Sequence, residues 1–565
     1  MKTRGTEYVK PYSKEIFGTE NLTHYAYPED ALKESKIFPF LVLDGGAAQL
    51  LLDRFGTVDG DELLRLTMSG ELFREFENGS PYNWERSFAY TRGTDFTPKY
   101  EWQIWPQRLY MTIPIAHAFL KSGDRKYADR WLEIVKGWDS AHPYQPFDPD
   151  IHYLKTDMVW RDMQVAWRTM SLLHGIFMLK DAPFSKEDWR YIYDFIELHV
   201  NHMYEEALDR LRRNHAQNHV LQIGVVLIMA AVMFPEFGTS AEILRIGKDT
   251  VRMNMQAIYP DGGSDEDSPS YSHFIARLYL EAYLLLKNNA LEGIDGLLES
   301  ITKQYEWIYN MSSPCGRTVR LSDSYALDSV ADLELAERLA DIQIDRKRES
   351  RLFADSGVGV MKKGALSLYV DAMAQTGGHR HFGRPEILLY HGNRPVIVDG
   401  GCCSYDRWEM YLNLRLSKMH NVIYCTSFDD ERSRIEPKIT EFDIDAGVVC
   451  LESHVENNGR SYTWRRKLTL NDTSLDIEDS VSASESLPFE SRLFFARCDT
   501  KVRDDRTVCM LTEDYLMTLT CDKPIRVELR PVMNDENRID YAITAECGEL
   551  TDSFRQHTTI TFEGK

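Results

Sequence analysis

Near residue 345 this 565-residue chain changes its hydrophobic period, and that change constrains the fold more than any other feature. Upstream, apolar residues recur every three or four positions, the spacing of a buried helical face. "RLYMTIPIAHAFLKSGDRKYADRWLEIVKGW" reads as two helices broken at "SGDRK". "DMQVAWRTMSLLHGIFMLKD" is a third, and "SKEDWRYIYDFIELHVNHMYEEALDRL" opens with a Ser N-cap and an acidic first turn. "NHVLQIGVVLIMAAVMF", "SAEILRIGKDTVRMNMQAIY", "SHFIARLYLEAYLLLKNN", "IDGLLESITKQYEWIYNM" and "SVADLELAERLADIQ" continue the series. Short polar or Gly/Pro links between them predict antiparallel helical hairpins, whether or not these close into a ring. Downstream, "GALSLYVDAM", "EILLYHGNRPVIVDGG", "SYTWRRKLTLNDTSLDIEDSVSA" and "PIRVELRPV" alternate or run apolar over strand lengths, with turns such as "HGNRP" and "NDTS" between strands. That half predicts a sandwich of antiparallel sheets. The expected domains are 1–345, helical, and 346–565, all-β.

The strongest apolar run, "IGVVLIMAAVMF" (Ile223 to Phe234), is too short to span a bilayer and reads as a buried helix, so no membrane partner is expected. Net charge is -22, from 66 basic and 88 acidic residues, which argues against nucleic acid as the main partner. Any anionic ligand must therefore meet a local basic patch. Nine scattered cysteines, with Cys402 and Cys403 adjacent, fit reduced thiols better than a disulfide framework. The start, "MKTRGTEYVKPYSKEIFG", is polar and lacks an apolar signal core. The expectation is a soluble cytoplasmic protein, with secretion still compatible if a leader has been removed. P-loop, GxGxxG, GxSxG and HExxH motifs are absent, which removes the commonest nucleotide, hydrolase and metalloprotease readings.

Several stretches could do chemistry. In "RLRRNHAQNHVLQIG", Asn214-His215 and Asn218-His219 recur at i, i+4 and would share one helical face, just after Arg210, Arg212 and Arg213. Amide, imidazole and guanidinium together suit a carboxylate ligand, although a polar helix start with solvated arginines has the same pattern. "YPDGGSDEDSPSYSHF" is a loop in which Asp265, Glu266 and Asp267 precede Tyr271 and His273. Such a loop could carry a general acid or base, or an acidic flank that complements a helix dipole. In "GGHRHFGRPEILLYHGNRPVIVDGG", His379 and His381 would lie side by side if this were strand, Asp399 ends the following hairpin, and His420 starts another strand-like run. His, Asp and His suit zinc, but core or surface histidines fit the same loose spacing. In "KYEWQIWPQRLY", Trp105 offers a face for a sugar ring, and Gln103 and Arg108 offer polar groups. An ordinary core helix explains those residues equally. "WRRK" (Trp464 to Lys467) reads as a substrate-facing basic patch or as a solvated strand face.

Taken in order, "WQIWPQRLYMTIPIAHAFLKSGDRKYADRW", "NHVLQIGVVLIMAAVMFPEF", "DGGSDEDSPSYSHF", "FADSGVGVMKKG", "GHRHFGRPEILLYHGNRPVIVDGG" and "MHNVIYCTS" resemble the heparinase II/III-like polysaccharide lyases. The resemblance runs from about Trp102 to beyond Asn421. It implies an incomplete (α/α) toroid followed by an antiparallel β-sandwich. It also implies β-elimination at a uronic acid: a base removes the C5 proton, the glycosidic oxygen leaves C4, and a 4,5-unsaturated sugar results. Because the neighbouring carboxylate suppresses C5 acidity, its charge must be masked.

By that resemblance Asn218 is the carboxylate neutraliser with His219 beside it, Tyr271 the catalytic tyrosine, and His379 the catalytic histidine facing it from an opposite wall. His381, Asp399 and His420 are the ligands of a structural zinc. Gln103, Trp105, Arg108, Arg212, Arg213 and Tyr405 are expected to bind substrate. A second tyrosine, known in alginate-cleaving relatives, falls on Tyr405 or Tyr411. The sequence departs from the family pattern at Gly383, where Asp is common, and at Tyr271-Ser272-His273, where Tyr-His is common. The expected function is a lyase (EC 4.2.2.-) of uronic-acid glycans, glycosaminoglycan-type chains favoured, as monomer or oligomer. The rivals are an alginate oligosaccharide lyase, a toroidal glycoside hydrolase using Asp265, Glu266 or Asp267, and a non-catalytic glycan-binding protein.

Overall fold

A computed structural model describes residues 105–109, 112–150, 158–234, 239–374, 377–402, 412–535 and 539–564. Among these, nine α-helices come first: α1 (Thr112–Ser122), α2 (Arg125–Ala141), α3 (Asp162–Met178), α4 (Lys186–Arg212), α5 (Asn218–Met233), α6 (Ser240–Asn254), α7 (Pro269–Asn288), α8 (Leu297–Asn310) and α9 (Ser329–Ala340). Their ends follow from local chemistry. Ser185 and Asp188 form a reciprocal capping box at the start of α4, as its sequence predicts. Asp124 accepts from the Lys126 N–H at α2, and Asp328 from Ala331 N–H at α9. None of the helices is long and apolar enough to cross a membrane.

Helix α5 is buried all round except at His219, which accounts for its unbroken apolar run. It packs on α3 and α6, and α1 packs on α2 and α3, the hairpin pattern expected of short links. The α5–α6 crossing is close because it is glycine on glycine. A Cβ at Gly224 would lie 3.0 Å from Thr250 and 3.1 Å from the Gly247 carbonyl. Trp131, Trp138, Trp160 and Trp189 are buried in this part of the core, where each aromatic ring contributes a large apolar area.

Seventeen strands follow from Arg351 onward among the described residues. One sheet has the order β1 (Arg351–Phe353), β2 (Val358–Lys363), β3 (Leu366–Asp371), β4 (Glu386–His391), β5 (Arg394–Ile397), β11 (Leu487–Phe495), β16 (Ile539–Thr551) and β15 (Arg526–Met533), with β6 (Ile423–Cys425) paired to β11. The other has the order β12 (Asp499–Val502), β13 (Thr507–Leu511), β14 (Tyr515–Cys521), β17 (Arg555–Gly564), β10 (Ser474–Ala483), β9 (Arg460–Leu470), β8 (Val448–Asn457) and β7 (Arg434–Asp443). All pairings are antiparallel, including β4 (Glu386–His391) with β5 (Arg394–Ile397) across the Gly392-Asn393 turn. Leu368, Leu389 and Phe495 from the first sheet share one core with Leu468, Ile477 and Ile560 from the second, so the sheets pack face to face as a sandwich. "WRRK" on β9 (Arg460–Leu470) is neither a ligand patch nor wholly solvated. Trp464 and Arg466 turn inward onto Asp479, while Arg465 and Lys467 turn outward to Glu452 and Glu478. Period-two alternation explains the split.

The described residues divide into two compact units. One holds those up to 257 with 274–301; the other holds 258–273, 302–402 and 412–564. The Tyr271 loop, which precedes residue 345 in sequence, is thus grouped with the strand-bearing unit.

Candidate active site

In the strand-bearing unit, Tyr271 sits in the first turn of α7, and the hydroxyls of Ser268 and Ser270 just before it donate to the carbonyl of Asp323 at 3.0 and 3.2 Å. His379 and His381 lie between β3 (Leu366–Asp371) and β4 in irregular chain, not in a strand, so pleat geometry does not align them as the sequence reading supposed. A shared carboxylate does so instead. Asp323 Oδ2 is 3.2 Å from His379 Nδ1, and Oδ1 is 2.8 Å from His381 Nε2. Burial would raise the Asp323 carboxyl, but the hydrogen bonds from the two imidazoles outweigh it and hold it well below the usual range.

The rings of Tyr271 and His379 stack directly, with centroids 3.4 Å apart and planes inclined by 18°. Both belong to one unit, so the expected placement on opposite walls is corrected: the pair is a contact within the strand-bearing unit. His379 Nε2 also lies 3.6 Å from Glu266.

The other acids of this loop divide by role. Asp267 accepts from Gly377 N–H at 2.7 Å and faces Arg384, which also pairs with Asp371, so it braces two segments. Burial, then the charges of Glu266 and Asp267, push Asp265 up to about 6. His273 is buried 3.1 Å from Asp332.

His381, Asp399 and His420 are buried and present ligand atoms all within 4.8 Å of one another. His420 lies just after a short 3-10 turn, Ser417–Met419, and Asp399 just after β5. His420 Nδ1 is 3.0 Å from Asp399 and 2.9 Å from Glu386, while its buried Nε2 has no hydrogen-bond partner. Burial would lower His420, yet Asp399 and Glu386 outweigh it and push it up to about 10. Two buried imidazoles, a carboxylate and a nitrogen left over for coordination are a donor set that fits a metal ion. The departure at Gly383 has a steric reason, since a Cβ there would overlap the Cβ of His420.

In the helical unit, Asn218 is buried at the first position of α5. His219 Nδ1 is 2.8 Å from Asp162 Oδ2. Asp162 takes φ 55°, a left-handed conformation uncommon for a residue with a side chain. Burial would raise its carboxyl, but His219 outweighs it and holds it low. Neighbouring Glu206 is pushed up to about 7 by burial and then by Asp162, and it accepts from Arg210 at 3.1 Å.

The i, i+4 helical face proposed for Asn214-His215 and Asn218-His219 does not form. Helix α4 ends at Arg212, Asn214 is exposed at φ 49°, and α5 begins at Asn218. Arg213 is exposed and bound to Asp209 of its own helix, and Arg212 is exposed. Arg108 is buried and donates to Gln164 at 2.7 Å, as a core residue would. Trp105 opens a short 3-10 turn, Trp105–Arg108. Gln103, Tyr405 and Tyr411 lie outside the described residues.

The residues that sequence reasoning missed are the partner carboxylates Asp162, Asp323 and Glu386. No motif or period marks any of them.

Residues 58–345 match the family described as Heparinase II/III N-terminus, and residues 345–545 match Heparinase II/III-like, C-terminal. A heparin-sulfate lyase of Bacteroides stercoris is 24% identical over 332 residues, which cover 53% of this chain and 48% of that protein, so the chain spans about half the length of this curated relative. A crystal structure of heparinase III superposes with a TM-score of 0.71 at 16% identity, covering 98% of this chain and 94% of that one. A heparinase III with methylated lysines gives 0.67 at 18% identity, covering 99% and 94%. These structural likenesses establish the fold, a helical toroid followed by an antiparallel β-sandwich.

Proposed function

The chain belongs to the heparinase II/III family, and from that premise we propose that it is a polysaccharide lyase that cleaves uronic-acid glycans of the glycosaminoglycan type by β-elimination. The observation that carries this reading is the stacked pair Tyr271–His379. With the rings in van der Waals contact no sugar fits between them, so the reacting atoms meet the ring edges, at the phenol oxygen and at His379 Nε2. One edge removes the C5 proton and the other returns a proton to the departing O4, a division of labour that general acid–base catalysis requires. The hydrogen bond from His379 Nδ1 to Asp323 leaves Nε2 as the working nitrogen.

Asn218 is assigned to the substrate carboxylate, whose charge its amide would draw off by hydrogen bonding, while His219 is oriented by Asp162. Arg212, exposed at the end of α4, is available to the anionic chain. We assign zinc to His381, Asp399 and His420, where it would supply a rigid cross-link between the loop after β3 and the segments after β5 and before β6 (Ile423–Cys425). The test is a panel of uronic-acid glycans followed by near-ultraviolet absorbance of the conjugated product. A hydrolase or a mere binder gives no such chromophore, and a panel without it rejects the proposal.

A further inference from the structure

Asp323 belongs to no motif, yet four sets of contacts converge on it. Its two carboxylate oxygens are divided between His379 Nδ1 (3.2 Å) and His381 Nε2 (2.8 Å). Its N–H donates to the His379 carbonyl at 3.2 Å. Its own carbonyl accepts from Ser268 and Ser270, in the turn that leads into Tyr271. The next residue continues the clamp, with Ser324 Oγ 2.8 Å from Ser268 Oγ and accepting from Ser270 N–H. The side chain is fully buried, so water does not compete for these contacts.

We propose that Asp323 is a positioning residue that holds His379 and His381 in complementary tautomers, so that the orientation of the proton-transfer histidine and the affinity of the neighbouring metal site depend on one another. An ionised carboxylate only accepts hydrogen bonds. Both nitrogens facing it therefore carry hydrogen: Nδ1 in His379 and Nε2 in His381. In the neutral rings the lone pairs then sit on opposite atoms, on Nε2 of His379 for proton transfer and on Nδ1 of His381 for a metal. A carboxylate behind a metal-binding imidazole commonly sets affinity in this way. Here the same carboxylate also holds the second imidazole. The inference rests on the proposed function for the role of His379; its metal half does not.

Asp323→Asn keeps the shape but offers one acceptor and one donor. One imidazole must then turn its lone pair toward the amide, which is the wrong tautomer for its task. The experiment uses the full chain with ¹⁵N-labelled histidine. Zinc affinity is measured by competition with a chromogenic chelator, ring-nitrogen resonances are recorded with and without zinc, and kcat and KM are taken separately. Asp323→Asn is expected to bind zinc 10–100-fold more weakly, to switch the tautomer of one of the two rings, and to lose kcat with KM within about twofold. In the wild type, removing zinc is expected to move the His379 ring resonances as well as those of His381. This second reading needs no variant to fold.

Unchanged zinc affinity together with unchanged His379 resonances overturns the proposal, as does a wild-type protein that takes up no zinc. If no glycan yields unsaturated product, the lyase reading fails, and the zinc and resonance measurements still decide the coupling between the two histidines.

Discussion

Tyr271 and His379 lie ring on ring, 3.4 Å between centroids, although 108 positions separate them in the chain. The stack places a phenol and an imidazole edge by edge with Glu266 beyond the imidazole. Under the proposed function this pair passes a proton, and that defines the first expected outcome. Tyr271→Phe keeps the stack and removes only the hydroxyl. Turnover should fall by about 10²–10⁴-fold, the usual share of a positioned acid or base, while the melting midpoint stays nearly constant. Rates of chromophore formation and thermal denaturation measure the two, and a phenylalanine variant as active as the parent contradicts the assignment.

Removing the proposed zinc should be visible without any substrate. With the ion gone, His420 and Asp399 remain buried with an incomplete donor set. Elemental analysis should find about one zinc per chain, and excess chelator should lower the melting temperature. Full metal loss with no change in melting would show that the three residues do not hold an ion that stabilises the fold.

Gly383→Ala should damage the same centre from the outside. The added Cβ overlaps that of His420, which cannot withdraw because both its neighbours Glu386 and Asp399 are buried. Overpacking of this kind costs about 1–3 kcal/mol, and metal affinity should drop with it. Denaturant titration and chelator competition test both effects.

Glu206 predicts a pH dependence of stability in the helical unit. Its carboxyl rises from an ordinary 4.5 to about 7 on folding, chiefly through burial and then through Asp162. Between those values the folded state holds a proton that the unfolded state has released, so this group's contribution to stability falls as pH climbs from about 4.5 to 7. The loss is on the order of a few kcal/mol. Glu206→Gln should flatten stability across that window, as read by denaturant midpoints at several pH values. An equal slope in parent and variant would assign the dependence elsewhere.

Much of this was legible in the chain itself. Periodicity determined that helices precede strands, because a face buried against a core repeats every three to four residues in one case and every two in the other. Ser185 announced the start of α4 and the Gly392-Asn393 turn its hairpin, since each is a local chemical preference, whereas the grouping of His381, Asp399 and His420 came from the family resemblance and not from their spacing. The partners of those groups left no such mark. Asp323 is 56 positions from His379, Asp162 is 57 from His219, and Glu386 is 34 from His420. A carboxylate that meets an imidazole across that distance carries no periodic trace, because chain folding alone brings the two together. The same is true of the Tyr271–His379 stack within one unit. Sequence therefore determined which functional groups the protein has and the helix-then-strand order of the elements around them, though not the local conformation of His379, His381 or Asn214. The tertiary structure decided which carboxylate orients which histidine, because a hydrogen bond depends on separation and angle in space, and neither is encoded by spacing along the chain.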